Sequence, residues 1–255
     1  VLRLITIPIS HYCEKARWAL DRADLRYREE RHIQGIHRVA ARRAGGGATV
    51  PVLVTADGAI GESHEILLWS DGHVPGERRL FPDAPAARAE VESLCGRFDE
   101  RLGPPGRRLV YAHMFRQPKL VFAFNDQGVP AWEHATLRAG WPLLKRYVGR
   151  ALGIVPGTEA ADESAVLGEL DHAAGLLSDG RSYLCGESFG AADLTFAALC
   201  APVIVPPGYG VALPQPDVLA PATAALVRRA REHPAGRYAL ALFAEHRRAP
   251  VHATP

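Results

Sequence analysis

At 255 residues, with 47% hydrophobic and 23% charged side chains, the chain has the make-up of a globular protein of one or two domains. A formal charge of +2 is too small to mark nucleic acid or an anionic membrane as the main partner. The cysteines, Cys13, Cys95, Cys185 and Cys200, form neither a Cys-x-x-Cys pair nor a zinc-like cluster, so they read as reduced, buried thiols of a cytoplasmic protein.

The first residues of this sequence carry a strand signal, and no signal peptide is expected among them. Residues 4–7 are apolar and β-branched, a buried strand that Pro8 ends because proline cannot donate to a sheet ladder. Ser10 is an N-cap candidate, and Cys13, Ala16, Arg17 and Leu20 then recur at helical spacing. Residues 25–30 read as a second strand, 49–54 as a third, 56–59 as a hairpin turn, and 64–69 as a helix after Ile60-Gly61-Glu62-Ser63. Pro51 inside a strand violates the local pattern and calls for an edge position or a special geometry. Residues 72–84 are rich in Gly, Pro and charge and read as a linker.

From Pro85 onward the signals are helical. Residues 86–102, 109–124 (broken at Pro118), 132–152 (broken near Gly140) and 162–177 read as helices, as do 222–231 and 236–246. The most apolar run, 194–205, is interrupted by Pro202 and falls short of the roughly 20 residues that span a bilayer. Residues 249–255 are expected to fray.

Ser10-His11-Tyr12-Cys13 resembles the Cys-x-x-Cys motif of glutaredoxins with its first cysteine replaced by serine. With its strand, loop and helix opening, the chain resembles the serine-type members of the glutathione transferase family. A second anchor is Phe189-Gly190-Ala191-Ala192-Asp193, similar to the family's segment that starts a central buried helix, although Gly190 lacks the usual capping hydroxyl. Leu80-Phe81-Pro82 looks like the family's inter-domain connector. The resemblance implies an α/β thioredoxin-like N-terminal domain followed by an all-α helical-bundle C-terminal domain. The corresponding ranges are 1–75, a linker at 76–84, and 85–248.

It also implies roles. Ser10 would be the catalytic hydroxyl that holds a thiol as thiolate. Val50 would precede a cis Pro51 and pair through its backbone with the cysteinyl part of glutathione. Glu62 and Ser63 would bind the γ-glutamyl end. The family often places a cation for the glycine carboxylate just before the Val-Pro pair. Here Ala48-Thr49 stand there, so Arg42, Arg43 and His37 are candidates by position only, beside the plainer reading of a solvated basic helix end. Glutathione, or another low-molecular-weight thiol, would act as cosubstrate against a small hydrophobic electrophile in a homodimer. Neither nucleic acid nor membrane is expected as a partner, and no metal site is read.

The apolar pocket is expected between the domains, with residues 111–115 and 122–125 as wall candidates beside the alternative of helix core. His11 and Tyr12 are read as loop residues, Cys13 as a buried structural thiol, and Arg17 as the partner of an acid within the first domain. Same-fold alternatives are thiol-dependent isomerisation or biosynthetic chemistry, a non-catalytic binding protein, and glutaredoxin-like reduction through Cys13.

Overall fold

A computed structural model describes residues 1–155 and 157–247. Strand β1 (Leu2–Thr6) leads through helix α1 (His11–Arg22) to β2 (Tyr27–Arg31), which lies parallel to β1. Helix α2 (His37–Arg43) follows, then β3 (Val52–Val54) and β4 (Ala59–Ile60), each antiparallel to its neighbour, and α3 (Ser63–Asp71). The sheet order is β2-β1-β3-β4, so β1 is paired on both sides.

Side chains alternate across a strand, and consecutive residues of β1 therefore enter different cores. Leu4 packs with Ala16, Leu20, Leu53 and Ile66 on the α1 and α3 face. Ile5 packs with Ala41 and Val52 on the α2 face. A strand buried on both faces must be apolar throughout, which is why residues 4–7 carry no alternation.

Helices α4 (Pro85–Arg101), α5 (Gly103–Met114), α6 (Pro118–Phe124), α7 (Ala131–Ala139) and α8 (Trp141–Ala151) follow. The chain closes with α9 (Glu159–Leu176), α10 (Ala191–Ile204), α11 (Pro221–Glu232) and α12 (Pro234–His246). Pro118, Pro142, Pro221 and Pro234 stand in the first turns of their helices, where the missing N–H breaks no intrahelical bond. The α/β sheet followed by a helical region is the architecture expected of the sequence.

The largest core cluster crosses from one part to the other. Trp18, Leu67, Leu80 and Phe81 belong to the same buried cluster as Phe98, Leu170 and Phe196. The indole of Trp18 lies 4.8 Å from Phe243 and 5.9 Å from Phe189, centroid to centroid. The connector is fastened at both ends: Leu80 N–H donates to Asp71 at 2.5 Å, and Leu80 C=O accepts from Ala191 N–H at 2.9 Å.

Helix α10 is buried along almost its whole length, as a helix apolar on every face must be. Its start carries half of a capping box. The Asp193 carboxylate accepts from the N–H of Gly190 and of Leu184, each at 2.8 Å, and from the Tyr238 hydroxyl at 2.5 Å. Gly190 returns no hydroxyl, and a Cβ there would lie 3.3 Å from the Leu80 carbonyl oxygen, so the connector occupies the space a larger cap would need. Position 248 and the fraying expected at 249–255 lie outside the described residues.

Candidate active site

The turn between β1 and α1 is shaped from beneath by Arg17. Its guanidinium, 2% exposed, donates to the carbonyls of Pro8 at 3.0 Å and Ile7 at 3.4 Å. It pairs with Glu29 at 2.8 Å and Glu14 at 3.2 Å, which is the intradomain pairing expected from the sequence. Ser10 then caps α1: it is extended (φ −71, ψ 122), its carbonyl accepts from Glu14 N–H, and its Oγ accepts from Cys13 N–H at 3.4 Å. A hydroxyl has one proton and two acceptor positions. The Cys13 side chain also bonds this hydroxyl, but burial pushes the thiol up to about 11. The hydrogen bond with the Ser10 hydroxyl and the Arg17 charge lower the thiol, but burial outweighs them.

Cys13 is fully buried, and Cys185 is the one cysteine of the four that is partly exposed. Exposure favours Cys185 as the first thiol that iodoacetamide modifies in native protein, and because burial and Glu90 push it up to about 12 the labelling should be slow at neutral pH and quicken as pH rises. Cys13, Cys95 and Cys200 should label only after denaturation, as peptide mass spectrometry would read. Labelling of native Cys13 at the rate of a free thiol would reopen the disulfide-exchange alternative.

Ser10 borders a cavity of about 340 Å³ between the sheet end and the helices. Ile7, Ile9 and Val50 join it from the sheet side. Val110, Tyr111 and Met114 of α5 face them, with Tyr147 and Val148 of α8 and Pro202 of α10 closing the wall. The volume suits a small organic ligand. Of the wall candidates read from the sequence, Tyr111 and Met114 line the cavity, while Phe115 and Asn125 line a smaller pocket beside it.

The Val50–Pro51 peptide is cis. Ser10 and Val50 thus share one cavity. Glu62 and Ser63 do not border it: Glu62 is the exposed N-cap of α3 with no side-chain capping bond, and Ser63 opens the helix, 5% exposed. Tyr12 borders the cavity, and the Glu62 charge adds to burial and Asp99 in pushing its phenol up, against Arg107.

The candidate cations on α2 need correction. Arg42 and Arg43 are not on the cavity wall; His37 and Arg38 are. His37 accepts from Gly35 N–H at Nδ1, and burial pulls it down to about 4, so it is uncharged at neutral pH. Arg38 carries the charge there and donates to the Tyr147 hydroxyl at 2.5 Å.

His11 and Tyr12 are not loop residues; they form the first turn of α1, as an N-cap at Ser10 requires. Tyr12 donates to the Asp99 carbonyl at 2.9 Å, so its hydroxyl is engaged, and burial pushes it up to about 12. Gly103 makes room for it, since a Cβ there would overlap the phenol oxygen. His11 is 3% exposed, and burial together with the Arg107 charge pulls it down to about 3. Both side chains border the cavity.

Sequence reasoning missed the bracing of the β2–α2 loop against the helical part. The Glu133 carboxylate, fully buried, accepts from Ile33 N–H at 2.9 Å and bonds His32 at 2.6 Å. Gln34 donates to Asn125 and to the Tyr111 hydroxyl, each at 2.7 Å, and so fixes one wall of the cavity. These partners stand about a hundred positions apart, beyond any local pattern.

Residues 4–78 match the family model for the glutathione S-transferase N-terminal domain. A glutathione S-transferase from Xanthobacter autotrophicus Py2 is similar over 100% of this chain and 97% of that one, at 19% identity and a TM-score of 0.59. One from Rhodospirillum rubrum F11 is 24% identical, over 99% and 97%, with a TM-score of 0.53. A glutathione transferase homologue from Sulfitobacter, solved with bound glutathione, is 15% identical over 93% and 95%, with a TM-score of 0.51. No curated protein matches the chain. At these identities the structural likeness is one of fold.

Proposed function

We propose that this chain, whose residues 4–78 match the glutathione S-transferase N-terminal domain and whose fold is similar to glutathione transferases throughout, activates a thiol for transfer to an electrophile. The observation that carries this reading is the juxtaposition of Ser10, at the N-cap of α1, with Val50 beside the cis proline on one cavity. Glutathione, which the Sulfitobacter homologue was solved with, is the thiol that fits the family.

A free thiol has a pKa of about 8.5 and is mostly protonated at neutral pH. A hydrogen bond donated by Ser10 and the positive end of α1 both favour the anion. The Val50 backbone would pair with the cysteinyl part of the ligand in an extended, strand-like manner, and the start of α3 at Glu62 and Ser63 would take its α-carboxylate and ammonium. The thiolate then attacks an electrophilic carbon of an apolar molecule held in the same cavity; a C–S bond forms as the bond to the leaving group breaks and that group departs with the bonding pair, with proximity supplying much of the acceleration. Ser10 donates a hydrogen bond throughout and forms no bond to substrate. The division at 1–75, 76–84 and 85–248, a homodimer and a cytoplasmic location belong to the same proposal and rest on the family. Among the described residues, no helix is long and apolar enough to cross a membrane.

Calorimetry with glutathione at millimolar concentration tests the reading, followed by assays with 1-chloro-2,4-dinitrobenzene. A hydrogen bond to an ion is worth about 1.5–3 kcal/mol, so Ser10→Ala should lower kcat/KM by about 10- to 100-fold and move the acid limb of its pH profile upward. The KM for glutathione should change little. No heat with glutathione, or an unaltered Ser10→Ala enzyme, would overturn the proposal.

A further inference from the structure

On helix α5 two adjacent arginines are treated differently. Arg108 holds the Asp162 carboxylate through Nε at 3.0 Å and Nη2 at 2.5 Å. Arg107, next in the chain and turned about 100° around the helix, borders the cavity and meets no carboxylate among the described residues. Its Nε is out of reach of water and has no hydrogen-bonding partner. Its one ring contact is the face of Tyr12, 5.8 Å from the guanidinium carbon. The nearest acid by connectivity, Asp99 under Tyr12, is engaged at both oxygens by Lys15, at 2.8 and 3.0 Å.

A half-buried guanidinium left without a counter-ion is costly; several in this protein are matched by acids, while Arg38 and Arg231 are met by hydroxyl, amide or carbonyl oxygens. Arg17 has Glu14 and Glu29, and Arg97 has Glu169 at 2.8 Å. A second open position lies on the same wall: His11, 3% exposed, has an Nε2 with no partner. The remaining surface nearby, from Val110, Met114, Val148 and Leu226, is apolar. An unpaired planar fork at one end of an apolar chamber matches a ligand with an apolar body and a terminal carboxylate, which arginine holds through two parallel hydrogen bonds.

We propose that Arg107 is the specificity residue for the second substrate, and that this substrate is an apolar carboxylic acid whose carboxylate seats on the Arg107 guanidinium. The proposal deepens the reading of the cavity as a thiol-transfer site and rests on it for the order of the two ligands. Glutathione also carries carboxylates, and the start of α3, proposed above for its γ-glutamyl end, does not border the cavity that Arg107 lines.

The test compares 4-phenylbutanoate with its neutral amide, 4-phenylbutanamide, by calorimetry on the parent, Arg107→Gln and Arg107→Lys, with glutathione titrated separately into each. The parent should bind the acid about 10- to 100-fold more tightly than the amide. Arg107→Gln should reduce that ratio to about one with an unchanged glutathione affinity, and Arg107→Lys should keep part of it, because lysine supplies charge without the fork. Failure of the parent to bind the acid, a ratio near one in the parent, or a ratio that survives Arg107→Gln overturns the inference. So does loss of glutathione binding in Arg107→Gln, which would assign the arginine to the thiol. An acid preference that depends on Arg107 in a protein that binds no glutathione would sustain this inference and defeat the thiol-transfer reading. Should Arg107→Gln not fold, by its circular dichroism melt, Arg107→Lys carries the same comparison.

Discussion

Arg17→Met is expected to remove about 3–5 kcal/mol of stability, the range for breaking a buried ion pair by deleting one partner. Against a total of about 5–15 kcal/mol this is enough to unfold a marginal protein. Three guanidiniums and three carboxylates form one buried cluster around α1. Arg17 pairs with Glu14 and Glu29, and Arg31 adds a second contact to Glu29 at 2.8 Å. Arg247, after the last helix, reaches Glu14 at 2.7 Å and Asp21 at 2.8 Å. Methionine in place of Arg17 fills the volume but leaves Glu14 and Glu29 short of a cation where neither can be hydrated. It also releases the Ile7 and Pro8 carbonyls, and with them the turn that presents Ser10. Urea denaturation should show the loss as a lower midpoint. Adding Glu29→Gln to Arg17→Met should recover part of it, because the cluster of two remaining guanidiniums and three carboxylates returns to charge balance. A single variant within about 1 kcal/mol of the parent would show that the cluster is solvated.

How far the sequence reads this structure depends on whether a feature is local. The β1 strand, the Ser10 cap and the α1 spacing lie within one short stretch, and periodicity with capping chemistry defines them. Helix α10 is legible because an uninterrupted apolar run of that length has no exposed face to explain. Pro51 was legible as a break in the strand pattern, and β3 indeed starts only at Val52. His11 and Tyr12 are legible as helix rather than loop once Ser10 is taken as the N-cap, since the residues after an N-cap are helical by definition. Arg107 cannot be separated from Arg108 by any local rule: the acid that pairs with one stands 54 positions away, and the other meets no acid among the described residues. Arg38, similarly, differs from Arg42 and Arg43 only in which side of α2 meets the cavity. Buried acids such as Glu133 and Asp21 look like surface residues until a distant cation or N–H is brought beside them.

Glu29 should make part of the stability depend on pH. Burial by itself would raise its carboxyl, but the Arg17 and Arg31 guanidiniums and the Thr6 hydroxyl outweigh burial and hold it down to about 2, from an ordinary 4.5. A carboxyl depressed by folding stabilises the native state above its unfolded pKa, and that contribution fades as pH falls from about 4.5 toward 2. A difference of about 2.5 units corresponds to about 3 kcal/mol. Asp21, Asp71 and Asp193 act in the opposite direction, because burial raises them. Their native forms take up protons more readily than the unfolded chain, so a simple acid titration of the parent would understate the Glu29 effect. The comparison with Glu29→Gln cancels them. At pH 7 the parent should be the more stable by about 3 kcal/mol, and urea midpoints measured down to about pH 2.5 should converge as the carboxylate is lost. A gap that stays constant across that range would mean that Glu29 supports the fold by shape rather than by charge. Convergence would carry a further consequence for the site. Thr6, which donates to Glu29 at 2.6 Å, is the last residue of β1, and the turn leading to Ser10 begins one residue later. Neutralising Glu29 should therefore loosen that turn before the rest of the chain unfolds, and glutathione affinity should fall ahead of the global transition.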